Sequence, residues 1–310
     1  MPDLTRSAGA IPFDPSRDDL LPMYLLRFDR ANTRRAYAAD LQQLFNSTVI
    51  TLGQAQALSF VDVNTHLQAL QAAGARPASI QRKTAAIRGF FAWLVALGLG
   101  SQNPADRQLV RRPRRSAAAD RVITVLTREQ ARALVDAVDM DAPAGARDRA
   151  LILTLLHGVL RRSEARGMDF DHVRRAGPYW ILGLPSTKGG DDQFVKLPDS
   201  VVEAIDEVRS RYHFDSGAVW RSLSPNSRGR RLSGQSIYAL TKRYAAAAGI
   251  AEHVGAHTLR HTGCTLAIEG GATLQQVQAH ARHKQLQTTM VYVHQRDRLR
   301  DSAADYIGLD

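Results

Sequence analysis

Four ionisable side chains in the last third of the chain have types and spacings that suit the cleavage of a phosphodiester bond. His257 and Arg260 are three residues apart, so on a helix they share one face and can reach the same phosphate. Tyr292 follows nine residues after His283 and offers a phenol that could attack the phosphorus. Because a free tyrosine has a pKa near ~10, its attack needs a group that accepts the proton or stabilises the oxyanion. The nearby histidines and arginines could do this.

Two cations farther upstream could complete such a site. Arg161 is followed by Ser163 and Glu164, and its guanidinium, like that of Arg260, matches the nonbridging oxygens of a phosphorane-like transition state. Lys188 lies in a turn predicted between two strands, where a mobile amine could protonate the leaving 5′ oxygen. Preorganised charge of this kind can replace a metal ion, so we predict neither a metal nor another cofactor.

Each of these signals is weak alone, because a His-x-x-Arg pair occurs by chance in many helices and most surface tyrosines have no catalytic role. Their combined order and spacing favour catalysis over chance.

Composition narrows the partner and the compartment. The chain has 310 residues, a formal net charge of +11 and 44% hydrophobic residues, and its pI is about 10.3. This charge predicts a polyanionic partner, although it does not separate DNA from RNA or an acidic membrane. The single cysteine, Cys264, fits a reducing compartment and a buried apolar role. Neither a secretory signal nor an apolar run long enough to span a bilayer is present, so we expect a cytoplasmic protein.

The pattern along the chain predicts a loose arm (1–17), a helical domain (18–105), a basic linker (106–121) and a second domain (122–310). Apolar stripes at helical spacing run through Tyr37 and Leu41, and through Ile87 and Phe90, where they predict core packing. Solvated charge and contact with DNA phosphates both fit the basic residues nearby. Those named as candidate DNA contacts are Arg82, Lys83, Arg88, Arg111, Arg112, Arg114, Arg115 and Arg282.

The second domain reads as helices around a small sheet. Thr127 to Gln130 forms a capping-box pattern, which predicts the start of a helix. Two strands are predicted at 179–184 and 194–197, joined by the turn that contains Lys188. Helices are predicted at 147–160, 199–212, 234–249, 256–269 and 274–281, and a last one should carry Tyr292.

These motifs together resemble the tyrosine recombinase (phage integrase) family over roughly residues 18 to 296. The resemblance implies a mainly α protein with a small β-sheet: a helical core-binding (SAM-like) domain that includes Asn32 to Tyr37, and an α+β catalytic domain. By that likeness Arg161 and Arg260 clamp the scissile phosphate, and Lys188 is the general acid. The residues with the remaining implied roles are Tyr292, which forms a 3′-phosphotyrosyl bond, His257, which assists proton transfer, His283, which contacts the phosphate, and Glu164 and His261, which support the site.

The family also implies an assembly. Its members act as tetramers on two double-stranded DNA sites, pass through a Holliday junction and need neither ATP nor metal. The length leaves no place for an arm-binding domain, so we expect a compact Xer-like or mobile-element resolvase or integrase. An amphipathic segment from Arg296 to Ile307 is expected to pack on its own domain or, as is common in the family, on a neighbouring protomer.

The chain departs from the family pattern at two glycines. Arg282 stands immediately before His283, where the family usually has glycine. The family also commonly reads Gly-Leu-Arg where this chain has Val159, Leu160 and Arg161. We expect these changes to affect local loop geometry more than the chemistry.

Other readings fit less well. No His-Glu-x-x-His or Cys/His ligand spacing supports a metal-dependent nuclease, and Gly189 follows Lys188 where a P-loop needs serine or threonine. A non-enzymatic DNA-binding protein on the same fold and a type IB topoisomerase stay as alternatives. Integration, excision and multimer resolution are all left open, with or without an accessory protein, as is the target sequence.

Overall fold

The computed structural model describes Asp14, residues 18–110, 124–184 and 193–283, Gln285 and Thr289. The chain divides into two compact units, Met1–Arg121 and Val122–Asp310. Several predicted features lie outside the described residues: nearly all of the arm, the linker from residue 111 onward with Arg111, Arg112, Arg114 and Arg115, the turn with Lys188, and Tyr292 with the segment that follows it.

The first unit is helical in its described part. Side-chain caps begin several of its helices, because Asp19, Thr51 and Ser59 each accept a backbone N–H of the first turn. Pro77 begins the longest helix, at the position where its missing N–H leaves no bond unmade. The helices are α1 (Leu20–Leu25), α2 (Ala31–Phe45), α3 (Leu52–Ala57), α4 (Phe60–Ala72) and α5 (Pro77–Ala96).

The two predicted apolar stripes form the core of this unit. Ile87 and Phe90 on α5 are fully buried, as is Leu41 on α2, so the core-packing interpretation is confirmed. Tyr24 stands edge-on to Phe90 with ring centroids 5.3 Å apart, an arrangement that aromatic pairs favour.

The basic residues of α5 make internal contacts. Arg82 and Lys83 both pair with Asp40 of α2, whose side chain is 1% exposed. Arg88 donates to the carbonyls of Ala105 and Val110 at 2.6 and 3.3 Å. These contacts assign the three cations to the packing of their own unit, and their predicted contact with DNA stays a prediction.

The second unit combines helices with one antiparallel sheet of order β1-β2-β3 in the described part of the chain. Both predicted strands are confirmed, whereas β1 was missed because its exposed, arginine-rich sequence lacks apolar alternation. The helices are α6 (Arg128–Asp136), α7 (Gly145–His157), α8 (Arg162–Arg166), α9 (Asp199–Tyr212), α10 (Gly234–Ala247), α11 (Ala256–Glu269) and α12 (Leu274–Ala281), and the strands are β1 (Val173–Ala176), β2 (Tyr179–Leu184) and β3 (Gln193–Leu197).

Helix α7 lies in the core of this unit and packs on α9 and α11. Gly263 allows the close approach of α11, because a Cβ there would stand 2.2 Å from the Leu156 carbonyl oxygen. The predicted burial of Cys264 on α11 is confirmed, since its side chain lies beside Val159. The prediction that α7 continues to residue 160 was wrong. The helix ends at His157, and Val159 has a left-handed φ of 48° that an α-helix does not allow.

A search of the described helices finds none with both the length and the apolarity to cross a membrane.

Candidate active site

The segment between α7 and α8 presents the first arginine of the site. Arg161 stands immediately before α8, and its backbone N–H and its Nη1 donate to the two oxygens of Glu164 at 2.7 and 2.6 Å. The Arg161 side chain is 47% exposed, whereas that of Glu164 is 18% exposed. The carboxylate therefore fixes the guanidinium of Arg161 while leaving it open to solvent.

Helix α11 supplies the second arginine from the interior. Arg260 is 3% exposed, and its guanidinium donates to the backbone carbonyls of Val159 and Ala281. One carbonyl precedes α8 and the other ends α12, so Arg260 ties three segments together. Hydrogen bonds to two neutral carbonyls orient the guanidinium without cancelling its charge.

A third arginine joins the site where α12 ends. Arg282 has a left-handed φ of 56°, and its side chain is 4% exposed. Its Nη2 donates to Glu164 Oε2 at 2.7 Å and to the Val159 carbonyl at 3.2 Å, and its Nη1 donates to the His280 carbonyl at 2.7 Å. In addition, Arg161 Nη2 donates to the backbone carbonyl of Arg282 at 3.3 Å.

Charge in this cluster is unbalanced. In the described part of the site, three guanidiniums surround the single carboxylate of Glu164. Burial would raise the pKa of Glu164, but the charge of Arg282 and hydrogen bonds from Arg161 outweigh it and lower that pKa. The carboxylate is thus ionised at neutral pH, and a net charge of about +2 is left for an anion.

Three histidines line the same cluster. His257 and His261, one helical turn apart on α11, join their Nε2 atoms at 2.8 Å. His283 contacts the Thr289 hydroxyl through Nδ1 at 2.9 Å. Burial, followed by neighbouring positive charge, lowers the pKa of His257 and brings the pKa of His283 to about 4. Burial, followed by the adjacent His257 and Arg260, brings the pKa of His261 to about 3. All three imidazoles are therefore neutral near pH 7.

One further group has metal-ligand chemistry. Among the described residues, Asp169, Asp171 and His172 bring their ligand atoms within 4.8 Å of one another. However, Asp169 already pairs with Arg231, and its backbone N–H donates to His172 Nδ1 at 3.2 Å. These internal partners account for the arrangement.

Comparison with known proteins identifies the family. Residues 124–298 match the phage integrase family, and residues 24–98 match the N-terminal SAM-like domain of phage integrases. Tyrosine recombinase XerC of Pelobacter propionicus is 34% identical over 269 residues, which are 85% of this chain and 84% of that protein. The XerC of Mycobacterium tuberculosis is 32% identical over 273 residues, 85% of this chain and 88% of that protein. The chain belongs to the phage integrase family.

Solved structures of the family share the fold. The XerH site-specific recombinase bound to a palindromic difH substrate aligns with a TM-score of 0.69 at 20% identity, covering 88% of this chain and 79% of XerH. A lambda integrase fragment bound as a dimer to a COC′ core site aligns with a TM-score of 0.67 at 17% identity, covering 90% of this chain and 94% of the integrase fragment. The predicted family, the mainly helical two-domain fold and the enzyme class, which cleaves and rejoins DNA strands, are confirmed.

The structure brings most of the predicted site residues of this phage integrase together. Hydrogen bonds connect the segments that carry Arg161, Glu164, Arg260 and Arg282. The positive charge of this cluster contributes to the lowered pKa values of His257, His261 and His283. Lys188 and Tyr292 lie outside the described residues. The choice of Arg161 over its neighbour agrees with the geometry, because the Arg162 side chain lies near Gly234 of α10 instead.

Arg282 requires a correction. The sequence suggested that it contacts DNA, yet its side chain is almost fully buried and paired with Glu164, 118 residues away in sequence. An internal role explains these contacts better. Val159 and Arg282, which stand where the family usually has glycine, both have a left-handed φ that glycine favours, so the backbone at these two residues is strained. The replaced glycines were the signal that could have located this pair.

Proposed function

We propose that this chain is a site-specific DNA recombinase that cleaves and rejoins double-stranded DNA through a 3′-phosphotyrosyl intermediate. The observation that carries the proposal is the surplus of guanidinium charge around one carboxylate, with neutral imidazoles beside it. A phosphodiester would take up this surplus, and a phosphorane-like transition state, which is more negative, would take up more of it.

In the proposed reaction the Oη atom of Tyr292 attacks the scissile phosphorus. The bond from phosphorus to the 5′ oxygen breaks as the bond to Tyr292 forms, which leaves a 3′-phosphotyrosyl link. The phenol proton passes to His257, and Lys188 donates a proton to the departing 5′ oxygen. Arg161 and Arg260 bind the nonbridging oxygens, and His283 contacts the same phosphate. Attack by a 5′ hydroxyl of the partner strand reverses these steps and rejoins the DNA.

Neutral histidine suits the first proton transfer. His261 Nε2 holds His257 Nε2 at 2.8 Å, and only one of the two nitrogens carries the shared hydrogen. A proton accepted from Tyr292 on His257 would form an imidazolium close to the newly negative phosphorane. In this proposal His261 orients His257, and Glu164 orients Arg161.

The assembly proposed is a homotetramer on two DNA sites, passing through a Holliday junction in the cytoplasm, with or without an accessory protein. The relatives at 34% and 32% identity are named tyrosine recombinase XerC, which supports recombination over plain DNA binding. Relaxation of a supercoiled plasmid without any recombination site would favour the topoisomerase alternative instead.

Covalent trapping tests the nucleophile. Wild type and Tyr292→Phe are incubated without metal or ATP on nicked duplexes from the DNA flanking the gene and from a randomised pool, then resolved on a denaturing gel with peptide mapping. We expect an adduct at Tyr292 in the wild type, none in the variant, and similar DNA affinity for both. Tyr179→Phe, which changes a tyrosine that is 53% exposed on β2, is the matched control and should form the adduct. Equal adduct from Tyr292→Phe would refute the assignment.

A further inference from the structure

Arg282 makes contacts that the proposed reaction does not use. Its guanidinium reaches Glu164 Oε2 at 2.7 Å, and Glu164 Oε1 in turn holds Arg161 Nη1 at 2.6 Å. Arg282 thus acts on the exposed arginine of the site through a shared carboxylate. We propose that Arg282 is a positioning residue of the cleavage reaction: it holds Glu164 in place and so leaves the charge of Arg161 available for the scissile phosphate. The inference rests on the proposed function.

Burial separates this role from direct contact with DNA. The Arg282 side chain is 4% exposed, whereas that of Arg161 is 47% exposed. Two carbonyls, those of His280 and Val159, take further hydrogen bonds from the Arg282 guanidinium at 2.7 and 3.2 Å. The enclosed Arg282 side chain therefore connects the end of α12 to the segment before α8. The exposed Arg161 is the arginine of this pair that can contact a ligand.

Backbone geometry supports the same assignment. Arg282 adopts a φ of 56°, a region that residues with a Cβ rarely occupy. Contacts of the side chain must therefore offset the strain, and the left-handed turn has a further effect. It aims the Arg282 carbonyl at Arg161 Nη2, 3.3 Å away. Arg282 consequently orients Arg161 twice, through Glu164 and through its own backbone.

The charges explain why this matters for the reaction. With Arg282 removed, Arg161 would be the remaining cation among the described residues in contact with the half-buried Glu164 carboxylate, and the pair would tighten. A tighter pair holds the Arg161 guanidinium away from the phosphate at the moment when charge develops there. With Arg282 present, Glu164 stays neutralised when Arg161 turns toward the phosphate. Removal of Arg282 should therefore slow cleavage much more than it weakens DNA binding.

The test compares Arg282→Gly with the double variant Arg282→Gly/Glu164→Gln and with Arg282→Lys. Glycine suits the left-handed backbone, so the single variant removes the guanidinium without adding strain. The matched control is His213→Gly, which makes the same change at another left-handed residue, at the end of α9, with a φ of 54°. The rate of covalent adduct formation is measured at saturating protein on a nicked site. DNA affinity is measured at several salt concentrations, and thermal melting checks that each variant is folded.

We expect Arg282→Gly to slow adduct formation about tenfold or more, the size of effect that lost outer-shell partners have elsewhere. DNA affinity and its salt dependence should stay near those of the wild type. Arg282→Lys, which keeps the charge without the planar fork, should fall between the two. The double variant should regain part of the lost rate, because no carboxylate is left to hold Arg161, and His213→Gly should match the wild type.

Other outcomes would overturn the inference. A weaker affinity with a salt slope reduced by about one would mean that Arg282 contacts a phosphate directly. A double variant no faster than Arg282→Gly would exclude an effect through Glu164. An unchanged rate in Arg282→Gly would overturn this inference alone, since wild-type adduct would still support the proposed function. Absence of adduct from the wild type would overturn both.

Discussion

Two clusters of basic side chains in this molecule use similar residues for different ends. On α5, Arg82 and Lys83 meet the buried carboxylate of Asp40 and connect α5 to α2. In the second unit, Arg161 and Arg282 meet the carboxylate of Glu164. Both clusters contain an acid that two cations share, and sequence alone suggests DNA contact for both.

What separates the clusters is the surroundings of the acid. Asp40 is 1% exposed, and its two cations complete the packing of a helix pair. Glu164 lies beside a third guanidinium, that of Arg260, which binds only backbone carbonyls among its described hydrogen bonds, and beside imidazoles held neutral by lowered pKa values. Exposure of an arginine does not separate the clusters, because Arg82 is 42% and Arg161 is 47% exposed. Three guanidiniums around one half-buried carboxylate, beside neutral imidazoles, indicate a binding site, whereas two cations that meet on a fully buried acid indicate a structural bridge.

The sharpest test of the comparison replaces Arg161 with lysine. Because Arg161 is 47% exposed, the fold should tolerate Arg161→Lys, with a melting temperature within about 2 °C of wild type. Adduct formation should fall about 10² to 10³-fold, since an ammonium lacks the fork that binds two phosphate oxygens. Single-turnover cleavage on a nicked site measures the rate.

The control for this prediction is Arg162→Lys, the same change one residue later, at a side chain that lies near Gly234. It should cleave at close to the wild-type rate. Equal losses in the two variants would mean that the segment needs arginine for folding rather than for the phosphate.

The opposite behaviour is expected from Asp40. Asp40→Asn leaves Arg82 and Lys83 without their buried counter-charge, and because both cations keep some contact with solvent, the loss for the first unit should be roughly 1 to 2 kcal/mol. Calorimetry of the full chain measures the loss, and adduct formation at low temperature and saturating protein should stay near wild type. Asp206→Asn, at an exposed position on α9, should change stability by less than about 0.5 kcal/mol. A folded Asp40→Asn protein with a large loss of cleavage would contradict the structural-bridge assignment.

The sequence predicted the helical half of the site well, and the reason is local. His257 and Arg260 lie on one helix, whose predicted bounds, 256–269, agree with those of α11. Periodicity and the pair Gly270 and Gly271, which directly follows Glu269, were sufficient to place it. The bounds of α9 and α12 were likewise confirmed, and α10 ended two residues earlier than predicted, at Ala247.

Contacts between distant segments could not be predicted in this way. The bond from Arg282 to Glu164 spans 118 residues, and no local pattern encodes it. The end of α7 was misplaced for a related reason. Val159 favours regular structure by type, yet its carbonyl accepts hydrogen bonds from Arg260 and Arg282, and these tertiary contacts hold it in a left-handed conformation. Tertiary structure overrides local preference at the residues that shape the site.

A pH titration of stability should report on the neutral histidines of the site. His261 and His283 have native pKa values of about 3 and about 4, below the ordinary 6.5. As pH falls from about 6.5 toward 4, the unfolded chain binds protons that the native site does not, so the free energy of unfolding falls. Above pH 7 both states are neutral and the effect vanishes. After discounting for solvent access, we expect a loss of about 1 kcal/mol per histidine between pH 7 and pH 5.

Denaturant unfolding of wild type and His261→Gln at the two pH values measures this effect. The variant should lose less stability on acidification, because the group with the lowest pKa of the site histidines no longer titrates. His213→Asn, at an exposed position after α9, is the control for loss of a histidine. It should reduce the loss of stability between the two pH values less than His261→Gln does. Identical acid sensitivity in wild type and His261→Gln would show that other groups govern it.

The smallest effect expected is at Val159, where two contributions oppose each other. Val159→Gly removes a side chain that is 3% exposed, a loss of about 2 kcal/mol, but it also relieves a left-handed φ that disfavours a β-branched residue by roughly 1 to 2 kcal/mol. Val202→Gly on α9 removes the same side chain at 4% exposure and adds the penalty of glycine inside a helix, about 1 kcal/mol. Val159→Gly should therefore be the milder variant by about 2 kcal/mol in denaturant unfolding. Cleavage should persist, because Arg260 and Arg282 bind the carbonyl of residue 159 and not its side chain. Equal destabilisation by the two substitutions would mean that the left-handed backbone at Val159 is not strained.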